Sequence, residues 1–127
     1  MRNHKKLRAF ILANELAVIT YQLTAGFPKE EMYGLVAQMR RSAVSIPSNI
    51  VEGCARHSTA EYLRFLDISF GSFKELQYQF SLSKQLGFIN ETEFENVNIL
   101  LVETEKVLSG LIRSKRAGKR CSNFLDP

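Results

Sequence analysis

The fold is decided by residues 38–56, which read QMRRSAVSIPSNIVEGCAR. Apolar side chains recur in this stretch and just before it at alternating spacings of four and three residues, the period of one helix face. They are Met32, Val36, Met39, Ala43, Ile46 and Ile50. The pattern predicts an amphipathic helix that begins at Pro28, a residue suited to the first helical position, and runs to about Glu52.

The neighbouring face of this helix carries mostly small polar side chains. They are Gln38, Arg41, Ser42, Ser45, Asn49 and Glu52. Serine and asparagine are poorer helix formers than the lysine and glutamate that usually cover a solvated face. Two interpretations remain open: a core helix whose small residues allow close packing, or a polar contact surface.

Pro47 lies inside the helical pattern, where proline removes one backbone donor and crowds the carbonyl of Ala43. We expect Pro47 to bend the helix, and we expect Ser45 and Asn49 to help satisfy the freed backbone groups. Gly53 is the expected end of the helix, because glycine readily adopts the left-handed conformation found there.

The composition is that of one ordinary globular domain. The chain has 127 residues, of which 45% are hydrophobic and 24% are charged. No apolar run approaches the roughly 18 residues of a membrane span, and no basic-then-apolar leader opens the chain. We therefore expect a cytoplasmic protein without membrane contact. Cys54 and Cys121 have no metal-ligand spacing, so free thiols are expected.

The net charge of +4 is unevenly distributed along the chain. Residues 1–8 carry +4, residues 113–127 carry +4, and residues 9–112 carry −4. Basic chain ends often serve solubility alone, yet they are also the usual electrostatic footprint of a protein that binds phosphate backbones. Both interpretations remain open from the charge alone.

Residues 5–24 are expected to form the first helix and are apolar on most of its circumference. One stripe consists of Leu7, Phe10, Ile11, Ala17, Val18 and Tyr21. The second stripe consists of Ala9, Leu12, Leu16, Ile19 and Leu23. One side of each helix in a small bundle faces water, so a second apolar stripe indicates a subunit interface. We expect Leu12, Leu16 and Ile19 to form this interface.

A capping box formed by Ser58 and Glu61 opens the third helix, which we expect to end at Leu86 before Gly87. Gly71 lies in the middle of this helix, where glycine costs about 1 kcal/mol relative to alanine if exposed. We therefore expect a neighbouring element to approach Gly71 closely, and the serine-rich face of the second helix is a candidate.

A similar capping motif at Asn90 opens the fourth helix, which we expect to end near Ser114. The basic residues that follow lack an apolar stripe, so we expect residues 1–114 to form the bundle and residues 115–127 to form a flexible basic tail. The sequence shows no alternating β-branched runs. It therefore predicts an all-α protein, an antiparallel up-down four-helix bundle.

The residues offer little support for catalysis, a metal site or a cofactor. Neither His4 nor His57 follows a glutamate by three residues, as a carboxylate-bridged di-iron bundle would require. Cys54 precedes His57 by three residues, without an obvious orienting carboxylate. No glycine-rich phosphate loop is present. We expect a protein that is not an enzyme.

Binding to phosphate backbones is better supported, because arginine side chains are suited to phosphate. The nucleic-acid-binding candidates are Arg40, Arg41, Arg56, Arg64, Lys5, Lys6, Lys115, Arg116, Lys119 and Arg120. We expect the four central arginines to cluster on either side of the second loop. The alternative for each is a local ion pair: Arg56 with Glu52, and Arg64 with Glu61 or Asp67.

The same residues resemble those of the bacterial four-helix-bundle family of the 23S rRNA intervening-sequence protein, also called the S23 ribosomal protein family. The resemblance covers about residues 7–113. It rests on Tyr21-x-Leu-Thr-x-x-Phe-Pro-Lys-Glu-Glu31, Tyr33-Gly-Leu35, Gln38-Met-Arg-Arg-Ser42, Ser45-Ile-Pro-Ser-Asn-Ile50, Glu52-Gly53, Arg56, Glu61, Arg64-Phe-Leu66, Gly71-Ser72, Glu75-Leu76 and Leu86-Gly-Phe-Ile89.

The resemblance implies a cytoplasmic bundle that assembles into a ring-like homo-oligomer, typically a pentamer. The accessory variability determinant of diversity-generating retroelements is related to this family, and it binds nucleic acid and a reverse transcriptase. Accordingly we expect a non-enzymatic oligomer that binds RNA or DNA. A protein-interaction scaffold without a nucleic-acid role is the competing hypothesis.

Overall fold

The computed structural model describes the backbone of residues 2–122 and the side chains of residues 2–118. Four helices account for most of this part of the chain, and no strand occurs in it. They are α1 (Arg8–Thr24), α2 (Leu35–Cys54), α3 (Thr59–Gln85) and α4 (Glu91–Ser122), with short 3₁₀ turns at His4–Lys6 and Lys29–Glu31. Each helix packs against the two helices next to it around the bundle. The predicted four-helix bundle is confirmed.

The apolar stripe predicted between residues 32 and 50 forms the buried face of α2. Val36, Met39, Ala43, Ile46 and Ile50 all lie in the core. Met32 was expected to belong to this stripe but is exposed, because the helix begins at Leu35 and Met32 lies in the preceding loop. The Glu31 carboxylate accepts a hydrogen bond from the Leu35 amide at 3.2 Å and so satisfies one of the free amides in the first turn of α2.

Local hydrogen bonds explain where α3 and α4 begin. The Ser58 hydroxyl accepts from the Glu61 amide at 3.1 Å. Asn90 and Glu93 form a complete capping box: the Asn90 side chain accepts from the Glu93 amide at 2.8 Å, and the Glu93 carboxylate accepts from the Asn90 amide at 2.9 Å. Both predicted helix starts are confirmed.

Gly87 ends α3, as predicted, with a positive φ of 77°. Its amide donates to the Lys84 carbonyl at 3.0 Å, and the Phe88 amide donates to the Ser83 carbonyl at 2.9 Å. This pair of hydrogen bonds defines a Schellman motif, which satisfies carbonyls that the end of the helix would otherwise leave free.

The prediction for the two faces of α1 is wrong. Leu12 and Leu16, expected at a subunit interface, are only 6% and 0% exposed within the single chain. Ile19 is partly buried and packs against the same core. The exposed part of α1 instead carries Ile11 and Val18. Both stripes are apolar, so their periodicity does not reveal which one faces the other three helices.

Two glycines differ from their predicted roles. Gly53 was expected to end α2, but it lies inside the helix and is buried, because the backbone and the Tyr62 ring of α3 pass directly beside it. A Cβ at Gly53 would lie 3.0 Å from Tyr62 Cδ1 and 3.1 Å from Phe65 Cβ. Gly71 was expected to be approached closely, yet no neighbouring atom of the described residues would lie within 4 Å of a Cβ there. The close contact between these helices is therefore at Gly53.

Helix α4 extends to Ser122 rather than ending near Ser114. Lysine, arginine and alanine are good helix formers, and they continue the helix beyond the last apolar turn. The proposed division into a bundle of residues 1–114 and a flexible tail of residues 115–127 stays a prediction. Residues 123–127 lie outside the described part of the chain.

Candidate nucleic-acid interface

The middle of the polar face of α2 packs against α3. The Ser42 hydroxyl donates to the Glu75 carboxylate at 2.7 Å, and the hydroxyls of Ser45 and Ser72 are 2.8 Å apart. In addition, the Ser69 hydroxyl donates to the carbonyl of Ile46 at 2.8 Å. Small polar residues therefore hold the two helices together, which is the first of the two interpretations left open by the sequence. Gln38, Arg41 and Glu52 of the same face are, by contrast, exposed.

Asn49 supports the backbone next to Pro47. Its side-chain amide donates to the Ser45 carbonyl at 2.8 Å and to the Ser45 hydroxyl at 3.0 Å. Pro47 itself is buried inside the helix. Asn49 therefore bonds the carbonyl of Ser45. The carbonyl that the ring of Pro47 crowds is a different one, that of Ala43. The bend expected at Pro47 stays a prediction.

The four central arginines do not form one cluster. Arg40 lies near the loop between α1 and α2, where its guanidinium stacks 4.5 Å from the centre of the Tyr21 ring. Arg41 is exposed on α2. Arg56 follows the other end of α2, 16 residues after Arg40, and at about 1.5 Å per residue this separation is most of the helix length. The prediction that all four arginines cluster beside the second loop is therefore wrong for Arg40 and Arg41.

Arg56 and Arg64 do come together beside the loop between α2 and α3. Their guanidinium groups lie 4.8 and 4.6 Å from the centre of the same Phe65 ring. Arg56 also pairs with Glu52 at 2.7 Å, so the local ion pair considered for it is confirmed. The ion pairs considered for Arg64 do not form, since among the described residues Arg64 has no acidic partner and Asp67 binds Arg116.

The N-terminal segment joins this loop through Arg2, which the sequence analysis did not single out. The Arg2 amide donates to the Cys54 carbonyl at 3.2 Å, and its guanidinium donates to the Arg56 carbonyl at 3.1 Å. The guanidinium also stacks 4.1 Å from the centre of the Tyr62 ring. Exposed Lys5 and Lys6 follow in the adjoining 3₁₀ turn. The N-terminal charges are thereby fixed at the same end of the bundle as Arg56.

The C-terminal part of α4 reaches the same end. Arg116 pairs with Asp67 of α3 at 2.6 Å, and Arg113 lies in the same groove between the two helices. We call this end of the molecule the basic end. It comprises Arg2, Lys5, Lys6, Arg56, Arg64, Arg113, Lys115 and Arg116. The side chains of Lys119 and Arg120, which were also candidates, lie outside the described side chains.

Charge is segregated along the bundle. The eight basic side chains of the basic end are accompanied by the three acidic side chains Glu52, Glu61 and Asp67, for a net charge of +5. At the opposite end, residues 25–35 and 84–95 contain two lysines and five glutamates, for a net charge of −3. Only Arg56 and Arg116 of the eight basic side chains form ion pairs within the described residues. The excess positive charge is therefore largely uncompensated.

A buried thiol and phenol lie beneath Arg2. Cys54 and Tyr62 are 1% and 0% exposed, and the Tyr62 hydroxyl has no hydrogen-bond partner among the described residues. Burial raises the pKa of the Cys54 thiol, and burial together with the neighbouring thiol raises the pKa of Tyr62 to about 12. Both groups are protonated at neutral pH. A protonated, enclosed thiol is a poor nucleophile.

Within the described residues, no three His, Cys, Asp or Glu side chains are arranged to share a metal ion. His4 packs edge-on against Phe10, with 4.8 Å between the ring centres. None of the described helices is both long enough and apolar enough to cross a membrane.

The described residues define an all-α four-helix-bundle protein with one strongly basic end. The sequence profile of the 23S rRNA-intervening sequence protein family matches residues 5–110. The chain belongs to this family, which confirms the resemblance seen in its sequence. A comparison with curated proteins finds no significant match.

A solved structure supports the fold independently. It is a protein of unknown function from the S23 ribosomal protein family of Bacteroides thetaiotaomicron VPI-5482, and it is similar to this chain with a TM-score of 0.74. The two sequences are 24% identical, and the similarity covers 83% of this chain and 95% of that one. At this level of identity the likeness establishes the fold alone.

Proposed function

We propose that this protein is a non-enzymatic helical-bundle oligomer that binds RNA or DNA through its basic end. The observation that carries the proposal is the convergence of three separate chain segments on one end with a net charge of +5. Six of the eight basic side chains there have no acidic partner among the described residues. Such a patch attracts polyanions and places several cations within reach of successive phosphates.

The binding would have little sequence preference. Contacts to phosphate oxygens position a protein on nucleic acid without reading its bases. The arginine-stacked rings of Phe65 and Tyr62 are already covered by guanidinium groups, so they offer no free platform on which bases would stack. The negative opposite end further favours one orientation of the bundle relative to a polyanion.

Oligomerisation is the second part of the proposal, and its surface is the outer face of α1. Ile11 and Val18 are 51% and 49% exposed and lie seven residues apart, on one line along the helix. Asn14 lies between them and Tyr21 follows them, so that the four residues have the alternating three- and four-residue spacing of a coiled-coil seam. A ring, for which a pentamer is the family expectation, would multiply the basic ends and strengthen weak phosphate contacts. Binding in the cytoplasm is part of the same proposal.

A comparison of two charge variants tests nucleic-acid binding. The basic-end variant carries Arg64→Gln, Arg113→Gln and Lys115→Gln, and the control carries Lys29→Gln, Arg41→Gln and Lys84→Gln. Both remove three positive charges, but only the first removes them from the basic end. Fluorescence anisotropy at low salt would compare the binding of a structured RNA and a DNA duplex to both variants.

We expect the basic-end variant to bind both nucleic acids at least about tenfold more weakly than the control, since the loss of phosphate contacts acts on any sequence. Circular dichroism should show both variants folded. Equal loss in the two variants would mean that net charge alone matters and would contradict a site at the basic end. Absence of binding by the intact protein would refute the proposal.

A protein-interaction scaffold is the second candidate function. It is favoured by exposed large apolar side chains remote from the basic end, chiefly Tyr33 at 92% and Ile99 at 71% exposure. A reverse transcriptase is the protein partner that the family resemblance would imply. This candidate takes precedence if the intact protein binds neither RNA nor DNA at low salt.

A further inference from the structure

A small pocket lies at the end of the bundle opposite the basic end. It has a volume of about 210 Å³ and is formed by the end of α1, the following loop and the first turns of α2. Its lining is apolar apart from two cations and a hydroxyl. The lining residues are Thr24, Ala25, Phe27, Pro28, Lys29, Met32, Val36 and Arg40.

Arg40 is held in place by a chain of hydrogen bonds. Its Nε donates to the Thr24 hydroxyl at 3.0 Å, and that hydroxyl in turn donates to the Thr20 carbonyl at 2.7 Å. A second donor, Nη2, reaches the Tyr21 carbonyl at 3.3 Å, while the Tyr21 ring lies 4.5 Å below the guanidinium. These contacts fix the orientation of Arg40 before any ligand arrives, which reduces the entropy lost on binding.

No described residue neutralises the charge of Arg40. All of its described partners are uncharged: a hydroxyl, a carbonyl and an aromatic ring. Those hydrogen bonds use two of the five N–H groups that a guanidinium carries, and no carboxylate pairs with it in the described part of the chain. Lys29, the other cation of the pocket, likewise has no ion-pair partner among the described residues.

The surroundings restrict the kind of anion that fits. Glu30 and Glu31 directly follow Lys29, and residues 25–35 and 84–95 at this end carry a net charge of −3, which repels a nucleic-acid strand. A ligand with a single carboxylate carries less negative charge than a nucleic-acid strand and is repelled less. Its two oxygens can accept a pair of hydrogen bonds from the guanidinium. Phe27, Met32 and Val36 would cover a short apolar group attached to it. The volume is smaller than the roughly 300–1,000 Å³ of pockets for drug-sized ligands, so the group must be small.

We infer that this pocket binds a carboxylate attached to a small apolar group, with Arg40 as the main anion-binding residue and Lys29 assisting it. The ligand is either a free small carboxylic acid or the C-terminal carboxylate of a partner protein ending in an apolar residue. The site is independent of nucleic-acid binding at the basic end.

Binding is measured on the full chain with ¹³C-methyl-labelled methionine, because Met32 lines the pocket and Met39, buried in the core, serves as an internal reference. The probes are 3-phenylpropionate, its neutral amide, inorganic phosphate, and an acetylated Ala-Ala-Phe peptide with a free or an amidated C-terminus. The variants are Arg40→Gln, Lys29→Gln and the control Arg41→Gln. Circular dichroism monitors folding.

We expect at least one carboxylate probe to shift the Met32 resonance with a dissociation constant of about 1 mM or below. Arg40→Gln should weaken binding about tenfold, consistent with the loss of a charged hydrogen bond. Lys29→Gln should weaken it less, and Arg41→Gln should leave it unchanged. If Arg40→Gln unfolds the protein, the other two variants test the inference. Weaker binding by Lys29→Gln than by Arg41→Gln supports it.

Binding of the peptide alone would identify a protein C-terminus as the ligand, whereas binding of phenylpropionate alone would identify a free acid. Binding of both carboxylates supports the shared chemistry. The inference is overturned if neither carboxylate shifts Met32, if the neutral amides bind equally well, or if phosphate binds more tightly than either carboxylate. It is also overturned if Arg41→Gln weakens binding as much as the pocket variants do.

Discussion

Arg116 Nη2 lies 2.6 Å from Asp67 Oδ2, and this ion pair joins the C-terminal part of α4 to the beginning of α3. It holds the basic residues around Arg116 against the first half of α3, toward the end of the bundle that carries Arg56. The N-terminal segment reaches the same end through the 3.1 Å hydrogen bond from Arg2 to the Arg56 carbonyl. Two segments that are far apart in sequence thereby contribute to one electrostatic surface.

Removing the acidic member of this pair should strengthen nucleic-acid binding. In Asp67→Asn the surface loses a negative charge and Arg116 becomes available to phosphate. Stability should fall by no more than about 1 kcal/mol, because both side chains are about half exposed, at 52% and 47%. Glu105→Gln is the matched control, since Glu105 pairs with Lys74 at 2.7 Å elsewhere on α4. Anisotropy titrations showing equal affinity gains in both variants would contradict a localised surface.

Alanine substitution should have opposite effects at two helical glycines. Gly53→Ala should destabilise the protein by about 1–3 kcal/mol, because the new methyl group would lie 3.0 Å from Tyr62 Cδ1 and 3.1 Å from Phe65 Cβ. Gly71→Ala should stabilise it by up to about 1 kcal/mol, because the site is open and alanine is the better helix former. Urea unfolding monitored by circular dichroism measures both. Destabilisation by Gly71→Ala would indicate that another subunit approaches this position.

Stability should decline at alkaline pH partly through Tyr62. An unfolded tyrosine ionises near pH 10, whereas the folded protein retains the Tyr62 proton until its pKa of about 12. Between these values the folded state binds more protons than the unfolded state, so the free energy of unfolding falls as the pH rises. Below about pH 10 both states keep the Tyr62 proton, and the stability lost at higher pH is still fully present. Burial also raises the pKa of Cys54 above its ordinary value of 9.0. Ionisation of this thiol in the unfolded state therefore lowers the free energy of unfolding further, beginning near that pH.

Tyr62→Phe should reduce this alkaline decline. At neutral pH it should leave stability unchanged or raise it by about 1 kcal/mol, because the buried hydroxyl has no hydrogen-bond partner in the described part of the chain. Tyr78→Phe is the matched control, since Tyr78 is 63% exposed. Denaturation midpoints measured from pH 7 to about pH 12 test this. Parallel curves for Tyr62→Phe and the unmodified protein would be inconsistent with the account.

Oligomerisation should depend on the outer face of α1. Ile11→Glu and Val18→Glu should dissociate the oligomer and leave the subunit folded, because a carboxylate is costly in an apolar interface but not on an exposed surface. Leu16→Glu should instead unfold the subunit, because Leu16 is fully buried in its core. Val102→Glu is the control on α4, where Val102 is 51% exposed, similar to Ile11. Light scattering coupled to size exclusion gives the mass; a monomeric unmodified protein would refute oligomerisation.

The sequence predicted the elements set by local chemistry. The starts at Ser58 and Asn90 and the end at Gly87 depend on hydrogen bonds within a few residues, which the sequence contains in full. The end of α4 was missed, because part of what holds its last turns is the distant ion pair of Arg116 with Asp67.

Tertiary relationships were not available from periodicity. Both stripes of α1 are apolar, so only the packed bundle shows that Leu16 faces inward and Val18 outward. The candidate site was predicted in part: the charges of both chain ends pointed to it, whereas Arg40 was wrongly grouped with Arg56. These two arginines are 16 residues apart, and a helix of this length places them toward opposite ends of the bundle.

The salt dependence of nucleic-acid affinity tests the central claim most directly. For binding to duplex DNA, the logarithm of the association constant should fall linearly with the logarithm of salt concentration, with a slope of about −0.9 for each phosphate neutralised. We expect a slope steeper than about −2 for the intact protein. The variant with Arg64→Gln, Arg113→Gln and Lys115→Gln should show a slope shallower by about one unit or more, while the Lys29→Gln, Arg41→Gln and Lys84→Gln control keeps the original slope. A slope near zero for the intact protein, or identical slopes in the two variants, would contradict phosphate binding at the basic end.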